Sequence, residues 1–247
     1  MRVLYKELAK YYDLIYRNKD YTLETEYLHK FFKRYNVRKI LDAACGTGNH
    51  DIYLVGRYNV TGIDLSKELL KIARKKVKGA TYYQMNMKNF NLNKKFDAVI
   101  CMFSAIAYNT NMKELIKTLK NFYNHLNDRG ILIFDIHFNR ESFKDGYRSV
   151  DGFDIKNVTL ARFGLSKKID RRCRVSFSYL LRENSKFKYL KDSHILGMFS
   201  VKEYSKALKK AGFRATVYNG FTMQKVKKPS KLYKDYIFIG VKNGIWI

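Results

Sequence analysis

The sequence predicts an α/β protein, with a mainly parallel seven-stranded sheet flanked by helices and interrupted by an antiparallel β insertion. Three observations carry that prediction. From Arg38 to about residue 138, strand-like apolar runs alternate with helical patterns, which implies parallel strands joined by right-handed crossovers. The first run, Ile40-Leu41-Asp42-Ala43-Ala44, enters a tight turn at Cys45-Gly46-Thr47-Gly48, and the second, Asn59-Val60-Thr61-Gly62-Ile63-Asp64, ends in a carboxylate. After residue 138 the alternation stops, and residues 150–198 carry short β-branched and aromatic runs that suit hairpins.

Taken in order, residues 1–36 read as two helices broken at Asn18-Lys19-Asp20. Leu23, Tyr27, Leu28, Phe31, Phe32 and Tyr35 recur at helical spacing and form one apolar face. Parallel strands are expected near 38–43, 59–64, 80–84, 96–102 and 131–136. A helix after the second strand sets Lys67, Lys71, Arg74, Lys75 and Lys78 opposite Leu69, Ala73 and Val77. Asn111-x-x-Glu114 and Ser200-x-x-Glu203 are capping signals for helices near 112–126 and 201–211, with Gly130 and Gly212 suited to the stops that follow. Within the insertion, Val158–Phe163, Val175–Tyr179 and Ser193–Leu196 read as hairpin strands lying as a lid over the carboxyl ends of the parallel strands. Strands near 213–218 and 235–242 rejoin the main sheet, and the single proline, Pro229, falls in the basic loop between them.

The glycine turn and Asp64 describe a nucleoside pocket. Glycine lets a ligand approach the backbone closely, and an acidic residue about 20 positions further on typically grips a ribose diol. A dinucleotide turn would carry a small residue where Asp51 stands, and a carboxylate there sits poorly beside a pyrophosphate. The chain has no Gly-x-x-x-x-Gly-Lys-Ser/Thr, which excludes a P-loop. Asp42, just before the turn, suits a cationic ligand. S-adenosylmethionine (SAM) has an amino group, a sulfonium and a ribose but no phosphate, and so fits these residues better than NAD does.

At Asp42-x-x-Cys45-Gly46-Thr47-Gly48 the chain resembles the class I SAM-dependent methyltransferases, with Ala44 where many members carry a first glycine. Phe96–Ser104 resembles their fourth-strand motif, Gly130–Asp135 their fifth, and Met198–Val241 their terminal helix and hairpin. With the opening Tyr11-Tyr12-Asp13-Leu14-Ile15-Tyr16, the set looks closest to the small-molecule amino-sugar N,N-dimethyltransferases, with glycine N-methyltransferase a more distant relative. The resemblance implies a Rossmann-like class I methyltransferase fold. It also implies three parts: an N-terminal helical segment (1–36), a SAM-binding domain (37–140 and 199–247) and a β lid (141–198). SAM is the implied cofactor, bound by Asp42, Ala43, Gly46, Thr47, Gly48, Asp64, Leu65, Asn86, Met87, Met102, Phe103 and Ser104. Tyr16 matches a tyrosine that reaches the methyl region, and is expected both to bind cofactor and to act in catalysis. Tyr27 matches a family position too, but its spacing favours core. His137, just past the fifth strand, is the expected catalytic histidine, because an imidazole at the pocket mouth can accept a proton from an amine.

Composition narrows the partners. No apolar run approaches the 18 or so residues of a spanning helix, and the amino terminus lacks a signal-peptide core, so the expected location is cytoplasmic and no membrane partner is expected. Cys45, Cys101 and Cys173 are too scattered for a disulfide framework or a metal cluster, and no metal is expected. Forty-nine basic residues against 22 acidic ones give a net charge of +27, which favours anionic partners. The denser basic groups are Lys167-Lys168 with Arg171, Arg172 and Arg174, and Lys225, Lys227 and Lys228 with Lys231 and Lys234. The expected reaction is therefore methyl transfer from SAM to a small-molecule amine, with an anionic acceptor suiting the charge, by a monomer or homodimer. An RNA or protein methyltransferase is the alternative, nucleic acid being the less favoured partner, and a non-catalytic SAM-binding module is the third reading. With one proline, followed by Ser230, the chain has neither the Asn/Asp-Pro-Pro-aromatic loop of amino-methylation of bases nor the Pro-Cys nucleophile of cytosine C5 chemistry.

Overall fold

A computed structural model describes residues 3–137, 139–230, 233 and 235–243; Lys231 and Lys234 of the second basic group lie outside them. The helices are α1 (Tyr12–Ile15), α2 (Tyr21–Arg34), α3 (Asp51–Leu54), α4 (Lys67–Lys76), α5 (Met112–His125) and α6 (Val201–Lys210). The main-sheet strands are β1 (Lys39–Ala43), β2 (Asn59–Asp64), β3 (Thr81–Gln84), β4 (Phe96–Cys101), β5 (Leu126–Ile136), β10 (Phe213–Asn219) and β11 (Tyr236–Lys242). They run in the order β10-β11-β5-β4-β1-β2-β3. Strands β1 to β5 pair in parallel, and β11 joins β5 and β10 antiparallel.

Both faces of this sheet are covered, which is why its strands read as near-continuous apolar runs. The apolar stripe of α2, with Leu28, Phe31 and Phe32, packs on Ile40, Ala98, Ile100 and Ile131. On the other face, Leu115, Leu119 and Phe122 of α5 and Tyr204 and Leu208 of α6 pack on Leu41, Val99, Leu132 and Phe134. The capping signals form as read. Asn111 Oδ1 accepts from the Glu114 N–H at 2.9 Å, and Ser200 and Glu203 make a complete capping box. Gly212 follows α6 in a left-handed conformation (φ +101°). Gly130 does not stop α5: the helix ends at His125, the chain passes directly into β5, and the left-handed residue is Arg129 (φ 62°).

The insertion is a four-stranded antiparallel meander, β6 (Tyr147–Ile155), β7 (Val158–Ile169), β8 (Arg172–Glu183) and β9 (Lys186–Gly197). Its strands are about twice the length read from the sequence, because their mixed polar and apolar alternation extends well beyond the aromatic runs.

Residues 3–16 differ from the expected helix. They form 3-10 turns at Val3–Tyr5 and Ala9–Tyr11 followed by the single turn of α1. Leu4, Leu8, Tyr11 and Ile15 keep a helix-like spacing, but they are buried against Phe153, Leu160, Tyr179 and Leu181 of the lid. The segment is thus wedged between the lid sheet and α4, and packing rather than helix propensity sets its path. No helix among the described residues is long and apolar enough to cross a membrane.

Where β9 leaves the lid, Gly197 lies against the turn that follows β4. A Cβ built there would stand 2.1 Å from the Asn109 carbonyl oxygen and 2.6 Å from the Phe199 ring. A backbone carbonyl cannot swing aside as a side chain can. Gly197→Ala should therefore lower stability by about 1–3 kcal/mol, read as a lower urea midpoint at unchanged m-value.

Candidate active site

The carboxyl ends of β1 and β4 diverge at the point where the strand order reverses, and the site lies in that crevice. After β1 the chain places Ala44 (φ 66°), Gly46 (φ 58°) and Gly48 (φ 72°) in left-handed conformation at alternate positions. The two glycines answer to different demands. At Gly46 a Cβ would meet only Tyr12 at 4.0 Å, so the backbone lies open to a ligand; at Gly48 it would stand 2.8 Å from the Tyr82 hydroxyl, so packing excludes a side chain.

Asp64 closes the turn from β2. Its Oδ2 accepts from the Gly46 N–H at 3.0 Å and its Oδ1 from the Ser66 N–H at 2.8 Å. Burial pushes its carboxyl up, and these backbone bonds pull the other way. Asp42, at the end of β1, is buried and its Oδ2 has no hydrogen-bond partner. Burial first, then the neighbouring Asp51 carboxyl, push its acid well above the usual range. Asp51 itself is fully buried behind the turn, where the Tyr82 hydroxyl donates to it at 2.9 Å.

Asp42, Thr47 and His50 help to line a small cavity of about 30 Å³, which meets a large one of about 1180 Å³ along Tyr12, Ala44, Gly46, Met102 and Phe103. The large cavity has Asp64, Leu65, Asn86 and Met87 on one wall, and Met102, Phe103, Ser104, His137 and Tyr16 on another. Twelve of the fourteen residues expected at the site, Tyr16 and His137 among them, therefore come together on the two cavities, Thr47 and Asp42 on the smaller. Ala43 does not: it is buried inside β1, its side chain in the core with Leu41 and Ile63. Nor does Gly48, which supports the turn from behind.

The end of β4 is strained. Phe103 (φ 58°) and Ser104 (φ 56°) are consecutive non-glycine residues in the left-handed region. Asp135 of β5 holds that turn through the Ser104 N–H at 3.0 Å, and Ser104 Oγ accepts from the His137 N–H at 2.8 Å. The Phe103 ring meets Tyr16 edge to face, with centroids 4.9 Å apart. The Tyr16 hydroxyl stays protonated, since burial raises its pKa above the phenol value and the Arg162 guanidinium only partly offsets that.

His137 does not have the character expected of it. Its Nε2 lies 2.9 Å from Asp135 Oδ2, and its Nδ1 is hydrogen-bonded to Asp235. Burial alone would discharge the ring, but the two carboxylates outweigh it and raise its pKa to about 10. At neutral pH it is an imidazolium held between two anions, and such a group cannot accept a proton.

The far wall of the large cavity comes from the lid and the amino-terminal segment. Arg162 of β7 reaches in, its guanidinium donating to Asp151 Oδ2 through Nε at 2.9 Å and a terminal nitrogen at 2.7 Å. Tyr5, Tyr108, Asp192 and His194 form a second cluster there. The sequence reading placed His194 in the lid and gave none of these residues a role in the site. One signal was available: Asp192 and His194 are two apart, so on a strand they share a face.

The donor set suits SAM. The buried Asp42 carboxyl, whose Oδ2 has no hydrogen-bond partner, suits the amino group, Asp64 the ribose, and Leu65 with Asn86 and Met87 the adenine. The methyltransferase-domain family matches residues 40–130. The dTDP-3-amino-3,4,6-trideoxy-alpha-D-glucopyranose N,N-dimethyltransferase of Streptomyces venezuelae is 31% identical over 218 residues, covering 86% of this chain and 92% of the relative. The crystal structure of Streptomyces venezuelae DesVI superposes with a TM-score of 0.83 at 29% identity, over 95% of this chain and 98% of that one. A sugar N-methyltransferase from Streptoalloteichus gives a TM-score of 0.83 at 27% identity, over 94% and 93%.

The charged His137 has a measurable consequence. Its folded pKa lies above its unfolded value, so its stabilising contribution is complete below about pH 6.5 and is lost as pH rises through about 10. Urea denaturation across that window should show stability falling by at most about 1.4 kcal/mol per pH unit on account of this group. His137→Gln should remove that slope; an unchanged slope would mean that the ring is neutral.

Proposed function

The chain belongs to the class I SAM-dependent methyltransferases, and we propose that it methylates an amine nitrogen on a small molecule, an amino sugar being the acceptor class its relatives suggest. One observation carries the reading. The wall with Asp64 and Leu65 and the wall with Arg162 and His194 enclose the same cavity of about 1180 Å³, which admits a cofactor together with a small acceptor. Residues 141–198 serve as the lid over that acceptor. The basic groups Lys167–Arg174 and Lys225–Lys228 have their lysine and arginine side chains exposed, and none of those side chains lines the cavity. A deep cavity walled by both the main sheet and the lid, together with an outward-facing charge, favours a small acceptor over RNA or protein. The three cysteines are free and buried, which suits a reducing compartment, and we place the enzyme in the cytoplasm.

SAM, when bound, supplies an activated methyl group on its sulfonium. The protein's part is alignment. Asp64 accepts from the ribose hydroxyls, Asp42 from the amino group, and Asn86 reads the adenine edge while Leu65 and Met87 pack on its faces. Phe103 and Tyr16, locked edge to face, wall the methyl region and keep water from it. His137 holds the ends of β4 and β5 together instead of moving a proton.

Removing the ribose acceptor by Asp64→Ala should weaken SAM binding about 10- to 100-fold by calorimetry, the value of one or two charge-assisted hydrogen bonds. Unchanged affinity would refute the ribose assignment. Methyl-labelled SAM incubated with a dTDP-linked amino sugar, glycine, sarcosine and total RNA tests the acceptor class. Label on a small amine is the expected result, and label found only in nuclease-sensitive material would replace this reading with the macromolecular one.

A further inference from the structure

An amine attacks a sulfonium only when neutral, and the nitrogen emerges from attack carrying a proton to shed. The histidine beside the methyl region cannot take that proton, because Asp135 and Asp235 keep it charged. His29, His50 and His125 are not on the wall of the large cavity. His194 is. Its Nδ1 is hydrogen-bonded to the Tyr108 hydroxyl at 2.7 Å, and that hydroxyl is bonded to the Tyr5 hydroxyl at 2.5 Å. Its Nε2 lies 3.2 Å from Asp192 Oδ2, an ion-pair contact rather than an aligned hydrogen bond. Asp192 is itself fixed, accepting from the Leu4 N–H at 2.8 Å through Oδ2 and from the Ser193 N–H at 2.8 Å through Oδ1. All four side chains line the large cavity.

Resting on the amine reading above, we propose that His194 is the proton acceptor of the methyl transfer, reached through the Tyr108 and Tyr5 hydroxyls and oriented by Asp192. A carboxylate beside Nε2 favours the Nε2–H tautomer, which leaves Nδ1 to accept from Tyr108. As the amine lone pair forms the new N–C bond, the methyl C–S bond breaks and its electron pair returns to sulfur. The nitrogen then sheds its proton to a phenol oxygen of the Tyr5–Tyr108 pair, while Tyr108 gives its own proton to His194 Nδ1. The step ends with an imidazolium beside the Asp192 carboxylate and both phenols neutral, and the imidazolium then loses its proton to solvent. Burial holds the Tyr5 phenol well above its usual range, so it conducts the proton without resting as a phenolate. The titratable groups facing the ring are Asp192 from its own strand, Tyr5 from the amino-terminal turn and Tyr108 from the turn after β4. The strand β8 presents Val175 opposite it and the Phe177 ring at 5.8 Å. Asp192 acts through His194 and is a positioning residue.

Two measurements test this. With a dTDP-linked amino sugar as acceptor, His194→Gln and Tyr108→Phe should each lower kcat by about 10²-fold with S-adenosylhomocysteine affinity kept, and both should lose the acid limb of the wild-type kcat–pH profile. Combining them should cost little more than either alone, since both cut one path. A retained acid limb, or additive losses, would overturn the proposal. The second measurement needs no acceptor. Histidine-selective ¹⁵N NMR of the S-adenosylhomocysteine complex should show His194 as the Nε2–H tautomer, becoming protonated reversibly on acidification, while His137 stays charged. An Nδ1–H tautomer, or a ring that does not titrate, would overturn the proton acceptor. If the wild type transferred no methyl to any amine, the functional reading would fail, and the NMR result would still decide the state of His194.

Discussion

The site depends on a topological constraint. Crossovers leave β1 toward one edge of the sheet and β4 toward the other, so the turns after these neighbouring strands must part. The gap between them is where a ligand can meet main chain instead of side chains. Each lip of the gap is left-handed, at Ala44, Gly46 and Gly48 on one side and Phe103 and Ser104 on the other. Glycine adopts that conformation freely, but phenylalanine and serine do so only when their surroundings enforce it. Asp135 supplies the enforcement through the Ser104 amide, and His137 through the Ser104 hydroxyl.

That arrangement explains why a histidine at the mouth of the pocket is not a base. Asp135 holds the strained amide as a carboxylate kept below its usual range, and a buried carboxylate needs a cation. His137 is that cation, with Asp235 closing its other nitrogen. Two anions and one cation leave a net negative charge beside the methyl region, which suits a sulfonium. The proton-handling chemistry is thereby displaced to a histidine on the opposite wall, with a carboxylate of its own and a chain of hydroxyls leading inward.

Most of the fold was legible because the forces behind it are local. Doubly covered strands read as apolar runs, α2 showed its stripe, and the caps at Asn111 and Ser200 are set by residues three apart. What was not legible came from distant partners. Asp235 reaches His137 across 98 positions, and Tyr108 reaches His194 across 86, so neither the charge on the first ring nor the bond on the second could be read from its neighbours. Residues 3–16 carry a helical spacing, yet they take up 3-10 turns because the lid sheet fixes where Leu4, Leu8, Tyr11 and Ile15 must lie. Ala43 and Gly48 belong to the same motif as the cavity wall but face away from it, because side chains alternate along a strand and a turn has an inside and a back.

A chain of net charge +27 that accommodates a cationic cofactor looks contradictory until distance is considered. Exposed charges are largely screened beyond about 8 Å at physiological ionic strength, whereas buried ones are screened much less. The lysines and arginines of the two basic groups face outward, while the carboxylates of Asp42, Asp64 and Asp135 are all buried or nearly so at the carboxyl ends of the parallel strands. Arg162, the guanidinium that does enter the cavity, brings Asp151 with it. The charge felt in the cavity is therefore governed by the few groups buried around it, among which Asp135 is held in its charged form, and not by the total. The surface excess acts at longer range, where it can only steer what arrives.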